Sequence, residues 1–142
     1  MYNIKMIGLD LDGTLLTSRK DLTENTKRVL KDAIDAGIQV LVATGRPFTG
    51  IPKELQEFPG IHYALTSNGA RVLNTDTGEL LIEQLLPLES AKNALHIFQK
   101  YDTLSEVYFD GQGYADQAKL DNVGRYHHDP NMWNYVRTTR KA

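Results

Sequence analysis

The stretch that most constrains the fold is Met6-Ile7-Gly8-Leu9-Asp10-Leu11-Asp12-Gly13-Thr14, an apolar run that ends in two carboxylates and a glycine. Met6, Ile7 and Leu9 predict a buried strand covered on both faces, the pattern of a parallel sheet. Open parallel sheets bind ligands just beyond the carboxyl ends of their strands, where Asp10 and Asp12 would sit. At a spacing of two residues in extended chain the two carboxylates point to the same side. Gly13 lets the backbone turn sharply and come close to a ligand. Two adjacent carboxylates repel, so one would ordinarily hold a proton, unless a divalent cation relieves the pair. Oxygen ligands in an open site suit Mg2+, which keeps several waters and is usually shared with phosphates. The pattern therefore points to metal-assisted attack of a carboxylate on a phosphoryl group. A plain acidic turn after a strand is the competing reading. A calcium loop of the EF-hand type is not, because Leu15 stands where its glycine belongs and Asp21 where its glutamate belongs.

Beyond Thr14, the residues Thr17 to Asp21 read as a polar loop. Thr23 is a candidate N-cap with Glu24 behind it, and Val29, Leu30, Ala33 and Ile34 recur at helical spacing as far as Ala36. Gly37 supplies a stop. Ile38 to Ala43 is a second apolar strand, so strand, helix and strand follow with short connections, the mark of a βαβ unit and a parallel sheet. This strand ends in Thr44-Gly45-Arg46-Pro47, at the same sheet edge as Asp10 if the strands are parallel. The Thr44 hydroxyl could bond a phosphate oxygen and Gly45 could clear room for backbone amides. Arg46 could pair with an anion or merely solvate the loop. A simple strand-to-helix turn remains open for this segment.

Gly50 and Pro52 predict a late or kinked helix start after Pro47, with Ile51, Leu55 and Phe58 inward. Tyr63 to Thr66 is a third strand. Asn68-Gly69 after it could be a hairpin turn or could line the same pocket. Arg71 to Asn74 and Glu79 to Ile82 flank Thr75-Asp76-Thr77-Gly78 as a hairpin. From Leu85 the plan changes: Leu88, Ala91, Leu95 and Phe98 predict an amphipathic helix, and Glu106 to Phe109 a strand with a turn at Asp110-Gly111. A short helix is expected over Gln117 to Tyr126, broken at His127-His128-Asp129-Pro130, with one more helix turn or strand over Met132 to Val136. The aromatics Tyr108, Phe109, Tyr114, Tyr126 and Trp133 read as core rather than ligand stackers. Gly111-Gln112-Gly113 fails as a dinucleotide loop because Asp116 replaces the third glycine. The four histidines are read as surface or half-buried groups.

At 142 residues the chain fits one domain, or one and part of another. A net charge of -2 gives no basic field for nucleic acid. The absence of cysteine excludes disulfides, thiolate nucleophiles and cysteine-ligated zinc, and is compatible with a reducing cytoplasm, the expected location. No apolar run reaches the length of a membrane span, and Met1 to Lys5 lead straight into the first strand, so no signal peptide is expected.

Taken together, Asp10-Leu11-Asp12-Gly13-Thr14-Leu15-Leu16, Ala43-Thr44-Gly45-Arg46-Pro47 and Thr66-Ser67-Asn68-Gly69-Ala70 resemble the haloacid dehalogenase (HAD) superfamily, and within it the Cof-type sugar-phosphate phosphatases. The resemblance implies an α/β fold: a Rossmann-like core with an incomplete parallel sheet over residues 1–84, and a partial inserted α/β cap over 85–142. It implies an enzyme, a Mg2+-dependent hydrolase of phosphoric monoesters acting on small phosphorylated metabolites such as sugar phosphates. Asp10 would be the nucleophile that becomes an aspartyl-phosphate. Asp12 would protonate the leaving alcohol and then activate water. Mg2+ would lie on the Asp10 carboxylate and the Asp12 main-chain carbonyl. Thr44 and Gly45 would hold the phosphate, with Arg46 and Asn68 as further substrate-binding candidates.

The family pattern continues beyond the cap to a phosphate-binding lysine and a further acidic motif, which Lys119 and Lys141 do not match. This chain is therefore expected to be weak or inactive as a phosphatase. The alternative is a non-catalytic module that binds a phosphorylated ligand or a partner. Without the later core strands the first strand lies on an edge, and an open apolar edge predicts association of chains.

Overall fold

The first strand, β1 (Met6–Leu9), pairs in parallel with β2 (Gln39–Ala43), which pairs in parallel with β3 (Tyr63–Thr66). The antiparallel strands β4 (Arg71–Asn74) and β5 (Leu80–Glu83) complete a mixed sheet in the order β1-β2-β3-β4-β5. This computed structural model describes residues 3–142. The chain divides into two compact units, Met1–Leu85 and Leu86–Ala142.

In the first unit, helix α1 (Glu24–Asp35) connects β1 to β2. Thr23 opens it in extended conformation, its hydroxyl accepting from the Thr26 amide at 3.1 Å, and Gly37 closes it at φ +80°. Leu30, Ala33 and Ile34 meet the core, whereas Val29, about a quarter-turn away, is exposed. One sheet face is buried through Val40, Val42, Ala64 and Leu73, packed with Leu11, Leu16, Leu22, Ile51, Leu55 and Ile61. After β2 comes a single 3₁₀ turn (Phe48–Gly50) and a short helix α2 (Lys53–Gln56) begun after Pro52. Ile51 and Leu55 are buried, and Phe58 packs against the same core.

β1 departs from the expectation of a strand covered on both faces. Its residues alternate between exposed and half-buried, with Met6 55 % exposed. Ile7 and Leu9 share the covered face with their partners Val40 and Val42. Met6 and Gly8 belong to the opposite face, which this unit leaves open.

In the second unit, helix α3 (Leu88–Phe98) precedes the hairpin of β6 (Glu106–Phe109) and β7 (Gln112–Ala115). Asp110 and Gly111 turn that hairpin with φ of +49° and +77°. The expected helix over Gln117 to Tyr126 is instead α4 (Gln117–Asp121) and a 3₁₀ turn (Val123–Arg125), parted at Asn122. Helix α5 (Pro130–Thr139) begins on the proline, a residue pre-set for the first helical position. The short β8 (Arg140–Lys141) then pairs in parallel with β7.

Leu120, Val123 and Val136 form the small core of this unit, with Leu104, Met132, Trp133 and Tyr135 around it. The core reading of the aromatics fails at Tyr108 and at Phe109, which is 74 % exposed next to the turn. The apolar stripe of α3 is not buried either: Leu88 and Phe98 are exposed, and Leu95 and Phe98 edge an open cavity of about 280 Å³ facing Val107, Tyr114 and Lys119. Arg140, nearly buried, donates from Nε to Glu106 Oε2 at 2.8 Å, and its guanidinium lies 5.0 and 5.2 Å from the Tyr108 and Tyr135 ring centres. A Cβ on Gly113 would collide with the Arg140 side chain, so this glycine admits the arginine rather than a phosphate. No helix among the described residues is long and apolar enough to cross a membrane.

Candidate active site

Three parallel strands in register bring their carboxyl ends into one row. Leu9 lies opposite Val42 and Ala43 opposite Leu65, so Asp10, Thr44 and Ser67 each follow a neighbouring strand directly. The loop after β1 is anchored by Leu11, which is fully buried. Because Leu11 turns inward, the flanking Asp10 and Asp12 turn outward. Amides of Leu15 and Leu16 donate back to the carbonyls of Asp10 and Leu11 at 3.2 and 2.9 Å, and Gly13 takes φ +81° in the bend.

The two carboxylates have different surroundings. Asp10 Oδ2 accepts from the Thr14 hydroxyl at 3.2 Å and has no cationic partner among the described residues. Asp12 is gripped from two sides. Arg46 donates from Nε to Oδ2 at 2.8 Å and from Nη2 to Oδ1 at 2.7 Å, and Lys20 Nζ donates to Oδ1 at 2.6 Å. The guanidinium fork holds the Asp12 carboxyl down at about 2, with Lys20 adding to it and partial burial opposing. Arg46 and Lys20 thus offset the charge of one member of the acidic pair from within the chain. Arg46 also donates from Nη1 to the Gly50 carbonyl at 2.7 Å, so of the two roles considered for it the structure gives pairing with an anion, and the anion is internal.

Thr44 is buried, its amide bonded to Leu65 O at 2.9 Å and its hydroxyl accepting from the Arg46 amide at 3.2 Å. Asn68 lies in a left-handed run, with φ of +51° at Ser67 and +55° at Asn68, and its amide donates to Thr44 O at 3.2 Å. Asn68 Oδ1 would stand 2.8 Å from a Cβ on Gly45. Asn68 therefore meets Thr44 and Gly45, Thr44 meets Arg46, and Arg46 ties this group to Asp12. Asp10 stands in the same row, its own side-chain bond going to Thr14.

Lys20 is the site residue that sequence reasoning missed, having been assigned to a polar loop. The loop is closed: Thr17 N donates to Asp21 O at 3.0 Å, Lys20 N to Thr17 O at 2.9 Å, and the Thr17 hydroxyl accepts from the amides of Arg19 and Asp21, each at 3.2 Å. A threonine four residues before an aspartate, with two cations between, was the available signal.

For a divalent cation, the hard oxygen donors on hand are the Asp10 carboxylate and the Asp12 main-chain carbonyl, which accepts no backbone bond among the described residues. Such a set, open to water, fits Mg2+. No group of three histidine, aspartate or glutamate side chains gathers among the described residues.

The haloacid dehalogenase-like hydrolase family matches residues 7–141. The HMP-PP phosphatase of Klebsiella pneumoniae is 33 % identical over 117 residues, covering 81 % of this chain and 42 % of that protein. The 5-amino-6-(5-phospho-D-ribitylamino)uracil phosphatase of Bacillus subtilis is 31 % identical over 124 residues, covering 82 % of this chain and 45 % of that protein. A solved haloacid dehalogenase-like hydrolase from B. subtilis superposes with a TM-score of 0.71 at 28 % identity, over 84 % of this chain and 42 % of that one. The chain spans less than half the length of the curated relatives it matches. On the family match and the shared α/β fold, the chain belongs to the haloacid dehalogenase-like hydrolases.

Proposed function

We propose that the chain carries the nucleophile-bearing part of a Mg2+-dependent phosphomonoesterase acting on small phosphorylated metabolites, with residues 85–142 forming part of a cap. The observation that carries the reading is the contrast between the two carboxylates. Asp10 is exposed and free of any cation among the described residues, as an attacking carboxylate must be, whereas Asp12 is held in a fork. Asp10 attacks the phosphoryl group and forms an aspartyl-phosphate while the alkoxide leaves. Asp12, which must first leave the grip of Arg46 and Lys20 and take up a proton from solvent, hands that proton to the leaving oxygen and then takes one from the water that cleaves the acyl-phosphate. The Thr44 hydroxyl and the amide of Gly45 bind phosphoryl oxygens, and Asn68 fixes the loop beside them. The Asp10 carboxylate and the Asp12 carbonyl would hold Mg2+, which when bound would supply the charge neutralisation on which phosphoryl transfer depends.

A second reading, binding of a phosphorylated ligand without turnover, is favoured by the double cationic grip on Asp12 and by the small set of metal donors. Low or absent turnover by this chain fits either reading. A cytoplasmic location accords with the lack of cysteine. β1 is an edge strand with Ile4 58 % and Met6 55 % exposed, which favours pairing with a second copy, testable by light scattering.

The test of the site is addition of Mg2+ with beryllofluoride, a mimic of phosphorylated aspartate, followed by NMR. We expect shifts at the amides of Asp10, Thr44, Gly45 and Asn68, lost in Asp10→Asn. Shifts that avoid these residues would exclude the assignment. Steady turnover of p-nitrophenyl phosphate, abolished by the same substitution, would separate the phosphatase from the binding module.

A further inference from the structure

We propose that Lys20 receives a second negative charge on the ligand, outside the phosphoryl group, so that the site favours phosphomonoesters whose alcohol portion carries a carboxylate or another phosphate. This rests on the roles assigned above to Asp10 and Asp12.

Arg46 and Lys20 both reach Asp12, but they are not equivalent. Arg46 has a 20 % exposed side chain and is committed by its fork to Asp12 and by Nη1 to Gly50 O. Its single charge already matches that of Asp12. Lys20 is therefore surplus to the neutralisation of Asp12. Its side chain is 52 % exposed, and its ammonium meets Asp12 Oδ1 as its single acceptor among the described residues. An ammonium carries three donors, so two remain for a ligand or water.

The position of this surplus charge is set by the backbone. The Thr17–Asp21 loop is closed by its own hydrogen bonds and places Lys20 at φ +68°, a conformation that L side chains seldom adopt. Asp12 is the group that faces the leaving oxygen, so a cation resting on Asp12 lies on the alcohol side. Thr44 and Gly45 serve the phosphoryl side. An ammonium on a flexible stem is a point charge that binds carboxylate or phosphate without a fixed bidentate geometry.

The test compares the binding of phosphoglycolate and ethyl phosphate, which differ by the carboxylate on the alcohol portion, by NMR titration with Mg2+ present. The native protein should prefer phosphoglycolate by about fivefold, the size expected of one exposed charge pair. Lys20→Met should remove that preference, Lys20→Arg should keep most of it, and added salt should weaken it in the native protein. An equal affinity of the native protein for the two ligands, or a preference that survives Lys20→Met, would overturn the role of Lys20 while leaving the phosphoryl cradle in place. Failure of the native protein to bind either ligand would instead remove the cradle, and this inference with it.

Discussion

Asn68 fills the space that a side chain on Gly45 would need: a Cβ at position 45 would lie 2.8 Å from Asn68 Oδ1. The glycine after β2 and the asparagine after β3 are thus one packed unit. Gly45→Ala should displace the Asn68 side chain at a modest cost of about 1 kcal/mol, because the obstructing atom ends a flexible side chain. The double variant with Asn68→Ala should recover most of that cost, and a double-mutant cycle by urea denaturation measures the coupling. Strict additivity would show that the two positions do not meet.

Acid should weaken the fold through Asp12. Its carboxyl is lowered from 3.8 to about 2 in the folded protein, chiefly by Arg46. A lowered folded value means that the contribution is complete above the unfolded value and fades as pH falls from near 4 towards 2. Arg46→Met should flatten this part of the stability profile and cost about 1 kcal/mol at neutral pH, since both partners are partly exposed. Urea midpoints across that pH range give the answer.

Leu11 is the inward residue between two outward acids, and it is fully buried. Leu11→Ala should cost about 2–5 kcal/mol, the range for a large-to-small change in a core. It should also broaden the amide signals of Asp10 and Asp12 in NMR spectra. An unshifted thermal midpoint would contradict the anchoring role.

In the second unit the nearly buried Arg140 meets Glu106, to which the Tyr108 hydroxyl also donates at 2.8 Å. Arg140→Met should destabilise this unit by about 3 kcal/mol, because it leaves a carboxylate without its cation. Burial and the Glu106 carboxylate push the Tyr108 hydroxyl above the ordinary tyrosine range. Ultraviolet titration should therefore show late ionisation of Tyr108, alongside Tyr126, whose hydroxyl donates to Asp102, and Glu106→Gln should bring only the Tyr108 component part of the way back towards normal.

Local signals in the sequence carried the β1-α1-β2 unit. The Thr23 cap, the Gly37 stop and the stripe of Leu30, Ala33 and Ile34 act over a few residues, and such interactions are written in neighbouring letters. The interrupted start after Pro47 was legible for the same reason. The grip of Arg46 on Asp12 was not, because 34 positions separate them and only the pairing of β1 with β2 closes the distance. Lys20 was obscured by a backbone conformation that no composition rule assigns to lysine. Exposure was the least legible property. Met6, Leu88 and Phe109 have the letters of a core, but apolar letters do not state whether a covering element exists.

Arg46 has one consequence that reaches past its own position. Its guanidinium rests on the Gly50 carbonyl at one side and on Asp12 at the other, so it works as a strut between the turn after β2 and the bend after β1. A change that tilts this turn, at Phe48 or Ile51 for instance, will reorient an acid it never touches. Variation across the hydrophobic underside of residues 48–55 is thereby coupled to the angle at which the Asp12 carboxylate stands beside Asp10.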